Sequence, residues 1–101
     1  MSHTLIVHSP LSLAHKTGPR HIESPARYST IIDALRHAKV LTTKNEWIAT
    51  PADEQWPLLC HELEYVKKVQ EECLALGESE VVKLSTGDVE ISHGSYTAAL
   101  A

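Results

Sequence analysis

The sharpest constraint on the fold lies between residues 9 and 27. Pro10, Gly18, Pro19 and Pro25 punctuate this stretch, so no regular helix or strand can run through it. Before it comes the apolar, β-branched run Thr4-Leu5-Ile6-Val7, which predicts a buried strand. After it, Ser24-Pro25 reads as a helix start, with Ser24 as the cap and Pro25 at the first helical position. The chain is thereby committed to strand, long loop, helix. The last part of the loop, residues 15–27, carries His15, His21, Glu23, Lys16, Arg20 and Arg27. A polar loop on the end of a strand is where α/β proteins keep binding chemistry.

Downstream, Tyr28, Ile31, Ile32 and Leu35 recur at helical spacing and predict a helix over 25–38 that buries this stripe. Trp47-Ile48-Ala49 predicts a short strand. Residues 51–60 read as a helix, with Pro57 near its start or at a kink. A stronger helix is predicted over 62–76, with Leu63, Val66, Val69, Cys73 and Leu76 on one side and Gly77 as its stop. Val81-Val82-Lys83-Leu84 predicts a strand, Thr86-Gly87-Asp88 a turn, and a last helix begins near Ser92 or Ser95. The order of strands and helices is that of an α/β protein built of crossover units. Two or three strands make a poor sheet with both faces covered, and Phe is absent, which leaves little aromatic area for a core. Residues 1–101 are therefore expected to be a single partial domain, the opening third of a larger one.

The balance of charge narrows the function. A net charge of −4 gives no basic footprint for nucleic acid. No run approaches the roughly 18 apolar residues of a membrane span, and the opening residues lack the cationic start of a secretory signal. Two cysteines without a CxxC spacing suit reduced thiols in the cytoplasm. Seven histidines include no HExxH, no adjacent pair and no Asp-x-His, so no metal site is expected from this chain alone. There is no GxSxG, and Gly18, Gly77, Gly87 and Gly94 stand isolated, which excludes a phosphate-cradling glycine loop. Glu71-Glu72 reads as a solvated helix face. His15 and Lys16 read as solvent-facing, His37 as an exposed helix end and His3 as a strand-edge residue.

Three segments together resemble the N-terminal region of the histone deacetylase family, in particular its bacterial class II and acetoin-utilization-like members. His21-Ile22-Glu23-Ser24-Pro25-Ala26-Arg27, followed by Ile31-Ile32-x-Ala34-Leu35, is similar to the family's His-Pro-Glu-x-Pro-x-Arg approach to its first helix. Leu58-Leu59-Cys60-His61-x-x-x-Tyr65-Val66-x-x-Val69, with Pro51-Ala52 before it, resembles a short helix followed by His-x-x-x-Tyr-Val. Gly87-Asp88-x-x-Ile91-Ser92-x-x-Ser95-Tyr96-x-Ala98-Ala99-Leu100 resembles the family's Asp turn and small-residue helix. The chain departs from the pattern where Ile22 replaces the usual proline and Ser24 a frequent arginine. It departs again at Val89-Glu90, which follow Asp88 where many members carry a proline.

The resemblance implies the N-terminal part of an arginase/deacetylase-like parallel-sheet α/β fold, incomplete here, from a bacterial cytoplasmic hydrolase. In the family an Asp-x-His pair and a second Asp hold zinc, and two adjacent histidines act as acid and base; all of these lie downstream of the small-residue helix. It therefore implies no catalytic residue, metal ligand or cofactor in this chain, with zinc belonging to the complete domain. Arg27 matches an arginine of an internal channel that helps a carboxylate product leave; its other reading is a tether between loop and helix. His21 and Glu23 match the rim loop, with turn capping as their simpler role. Asp88 matches a turn aspartate with the same simpler role, and His61 and Tyr65 match a pair concerned with packing. The expected protein is a truncated fragment, from an interrupted or split gene, inactive by itself. Its expected partners are the missing C-terminal part of the domain or a second copy, with no nucleic acid and no membrane. The alternative is a non-catalytic interaction module.

Overall fold

The computed structural model describes residues 4–87 and 89–101; Met1, Ser2, His3 and Asp88 lie outside it. The first half is a strand–helix–strand unit. Strand β1 (Ile6–His8) and strand β2 (Glu46–Ile48) pair in parallel, with Ile6 opposite Glu46, Val7 opposite Trp47 and His8 opposite Ile48. Helix α1 (Ala26–His37) forms the crossover between them. Its start is close to the predicted one: Ser24 Oγ accepts the Ala26 N–H at 3.1 Å, and Pro25 already has helical angles. Its end turns on Lys39, at φ 60° the one described non-glycine residue in the left-handed region. There the Lys39 and Val40 N–H groups return to the Arg36 and Leu35 carbonyls, which satisfies the last turn.

The second half holds the core. Helix α2 (Leu63–Leu74) packs with strands β3 (Val81–Lys83) and β4 (Glu90–Ser92) and with the short helix α3 (Ser95–Leu100). Val66, Cys73, Leu84, Ile91 and Tyr96 form the buried cluster, with Val69, Leu76 and Leu100 against it. The predicted apolar side of α2 is this contact, except that Leu63 remains exposed. Gly77 does not close the helix through a positive φ; its N–H is taken by Glu80 Oε1 at 2.8 Å.

Four sequence expectations are corrected. Residues 51–60 form no α-helix but a loop with one 3₁₀ turn, Pro57–Leu59. Pro57 lacks the N–H a helix would use, and Asp53 Oδ1 captures the Gln55 N–H in a turn of its own. Residues 90–92 form a strand that the apolar pattern does not announce, and β3 and β4 pair antiparallel rather than through a crossover. Six residues between them are too few for a parallel return. The stripe on α1 is only half-buried, at Tyr28, Ile32 and Leu35, and Ile31 is exposed. Nor is β1 a buried strand, because Leu5 and Val7 are exposed.

The described residues thus divide unevenly. The buried cluster takes no residue from β1, α1 or β2; of the first half, only Leu41 and Ser9 are buried. Val7 and Trp47 stand side by side in register on one face of the parallel pair, 57% and 60% exposed.

Candidate functional site

The loop from Ser9 onward is built by hydroxyl groups. Ser9, buried, accepts the Leu11 N–H and starts a 3₁₀ turn, Pro10–Ala14. The loop is then pinned to the start of α3 by two serines. Ser92 Oγ accepts the Lys16 N–H at 2.7 Å and donates to the Ala14 carbonyl at 2.9 Å. Ser95 Oγ accepts the Ser92 N–H at 2.8 Å and is hydrogen-bonded to His15 Nδ1 at 2.6 Å. Farther along, Glu90 Oε1 accepts the Gly18 N–H at 2.6 Å. A backbone approach this close needs Gly94, where a Cβ would collide with the Ala14 side chain and lie 2.7 Å from its carbonyl oxygen.

The rest of the loop holds itself. Thr17 Oγ1 donates to the Glu23 carbonyl at 2.6 Å, and His21 Nδ1 accepts the Glu23 N–H at 3.0 Å. His21 therefore caps the turn. Glu23 and Arg27, both exposed, line a cavity of about 190 Å³ together with Ser12, His15 and Tyr28. Among the described residues no carboxylate pairs with the Arg27 guanidinium. Ser12 and His15 also line a second cavity of about 370 Å³, whose other walls include Val69, Leu84, Ile91 and Ala98. His15 thus stands between a polar recess and an apolar one. It is not solvent-facing as expected, and the Lys16 backbone is tied down although its ammonium is exposed. The predicted residues Arg27, Glu23 and His21 come together at one loop; Asp88 lies outside the described residues.

A second cluster escapes sequence reasoning. His8 Nδ1 accepts from the Tyr28 hydroxyl at 2.5 Å, and its Nε2–H donates to Glu46 Oε2 at 2.7 Å. Arg36 then donates through both terminal nitrogens to the Glu46 carboxylate. The His8 side chain is 8% exposed. The hydrogen bond from Arg36, and then that from His8, hold the Glu46 carboxyl below the usual carboxylate range, while burial raises the Tyr28 hydroxyl. The four residues span 38 positions, and only the parallel register brings Glu46 beside His8. The one local signal was the spacing of Tyr28, Ile32 and Arg36 on a single face of the helix.

The His61 and Tyr65 rings lie 5.7 Å apart. Glu72, read as solvated, is half-buried and accepts from the Ser85 N–H and hydroxyl at 2.9 and 2.6 Å, which lowers its pKa. Cys60 and Cys73 are free thiols, the first exposed and the second buried. Among the described residues no three His, Cys, Asp or Glu side chains converge on a point that could hold a metal ion, and no helix is long and apolar enough to cross a membrane. Compared with protein-family models, curated proteins and solved structures, the chain matches none of them.

Proposed function

We propose that this chain is the N-terminal section of a zinc-dependent, deacetylase-type α/β domain, cytoplasmic, and inactive by itself. One observation carries the reading: the chain exposes more surface than a finished domain of its mass. Its accessible surface is 7531 Å², against about 5,700 Å² for a compact monomer of 11.2 kDa. Its radius of gyration is 15.5 Å, where a compact domain of this length has about 13 Å. The excess includes the apolar face at Val7 and Trp47, which further strands and helices of an α/β sheet would cover.

In this reading the loop at 15–24 is the rim of the pocket and Arg27 is part of its wall. The guanidinium offers two parallel donors to a carboxylate product, a geometry that a single ammonium lacks. His21 and Glu23 shape the rim, His21 through its bond to the Glu23 backbone. Zinc, and the groups that move protons in the complete domain, belong to the section that follows. The test is direct. Purified chain, supplied with zinc, is expected to retain none stoichiometrically and to hydrolyse neither an acetyl-lysine peptide nor an acetylpolyamine. Chelator-sensitive turnover by the chain alone would refute the proposal.

The pairing of Val7 with Trp47 on a bare face favours a second reading, a non-catalytic module that docks to a second copy through this face. Sedimentation over a concentration series separates the two. The second reading expects a dimer that Trp47→Glu dissolves, and a strict monomer rejects it.

A further inference from the structure

Helix α1 is fastened to the strands by polar groups and by an apolar stripe that is only half-buried, at Tyr28, Ile32 and Leu35. No residue of α1 is fully buried, and the hydrophobic cluster is built by α2, by Leu84 just after β3, and by β4 and α3, with none of it from α1. The polar part of the grip is the chain Tyr28–His8–Glu46–Arg36. It attaches α1 at two points on one face, at Tyr28 in its first turn and at Arg36 in its last. Tyr28 meets β1 through His8, and Arg36 meets β2 through Glu46. A helix held in this way opens at a cost set by a few hydrogen bonds and a half-buried stripe, well below that of opening the core.

We infer that α1 is a clasped lid: it swings away from the β1–β2 pair as a unit while α2 and α3 stay folded, and His8 and Glu46 form the catch. Arg27 and Tyr28 sit on the first turn of the lid and line the 190 Å³ cavity, so opening removes one wall of that cavity. The charged and titratable groups at the catch are His8 from β1, Glu46 from β2, and Tyr28 and Arg36 from α1, with Asp33 acting on Arg36 from the same helix. Neutral His8 satisfies both neighbours, since its Nε2–H goes to Glu46 and its Nδ1 takes the Tyr28 hydroxyl. Glu46 accepts from His8 and from Arg36 at once, so its charge is what keeps the catch closed. The device stands whether or not the cavity serves a deacetylase-type pocket.

Amide hydrogen exchange of the full chain, followed residue by residue in NMR near pH 6, tests it. In the wild type, amides of α1 are expected to exchange through an opening that leaves those of α2 protected. Glu46→Gln removes the charge that His8 and Arg36 share at near-constant shape and is expected to speed α1 exchange at least about tenfold, as the bonds it receives weaken, with α2 unchanged. Tyr28→Phe, which removes only the hydroxyl on His8, is expected to act in the same direction and less. Equal protection of α1 and α2 in the wild type would overturn the inference. So would an α1 rate indifferent to Glu46→Gln, or a loss of α2 protection in that variant, which would make the catch part of one cooperative unit.

Discussion

The residues that hold the loop are small, and their smallness is the point. Gly94 lies where the Ala14 backbone crosses the start of α3, and the loop's bonds to Ser92 and Ser95 depend on that crossing. Gly94→Ala is expected to force the two segments apart and destabilise the chain by about 1–3 kcal/mol, the usual cost of overpacking, as read from the urea midpoint. Tyr96 presents the opposite case. Its hydroxyl is buried with no well-formed hydrogen bond among the described residues: the Glu54 carboxylate is near enough to raise its pKa, after burial, but not placed to accept in good geometry. Removing an unsatisfied buried hydroxyl costs nothing and relieves a desolvation penalty. Tyr96→Phe is therefore expected to leave stability unchanged or raise it by about 1 kcal/mol in the same denaturation experiment. None of this is visible in a linear pattern. Glycine at 94 and serine at 92 and 95 looked like part of a small-residue helix start, and their partners lie roughly 80 positions away.

Elements differ in how far the sequence announces them. Helix α2 was legible because its apolar side meets the core, so periodicity and packing agree. Helix α1 was legible in its bounds and misleading in the depth of its burial: Tyr28, Ile32 and Leu35 are half-buried, and Ile31 is exposed. Residues 51–60 misled because their composition permits a helix while Pro57 and the Asp53 turn spend the backbone donors elsewhere. The strand β4 was hidden in a polar segment, since only Ile91 of its residues is apolar. Two carboxylates that stitch elements together give a pH dependence. Glu46 is held low by Arg36 and then His8, and Glu72 by the Ser85 hydroxyl and backbone N–H. Because both folded-state values are depressed, the stability they contribute is present above the ordinary glutamate value, near 4.5. It is lost as the pH falls through the lowered values. Urea midpoints measured from pH 7 downward are expected to stay level until that range and then fall, and the fall is expected to be shallower in the double variant Glu46→Gln, Glu72→Gln.

At the scale of the molecule, one half owns a core and the other leans on it. The two are joined by the serine-pinned loop and by the Ala52 N–H bonded to the Leu100 carbonyl at 2.8 Å. The strand–helix–strand unit has the connectivity expected of a parallel α/β sheet, but only two strands of it, with an apolar face open. Arg27, His21 and Glu23 were singled out from a local stretch of sequence, whereas the His8–Glu46 catch needed the register of the sheet. Complementation tests the central proposal most directly. The chain is mixed with a separate polypeptide carrying the downstream section of a zinc-dependent deacetylase, including its adjacent histidines and Asp-x-His, and turnover of an acetyl-lysine peptide is measured. Activity in the mixture and in neither part alone, weakened by Arg27→Ala, is the expected result. A mixture as inactive as its parts, or activity from the 101-residue chain alone, would contradict it.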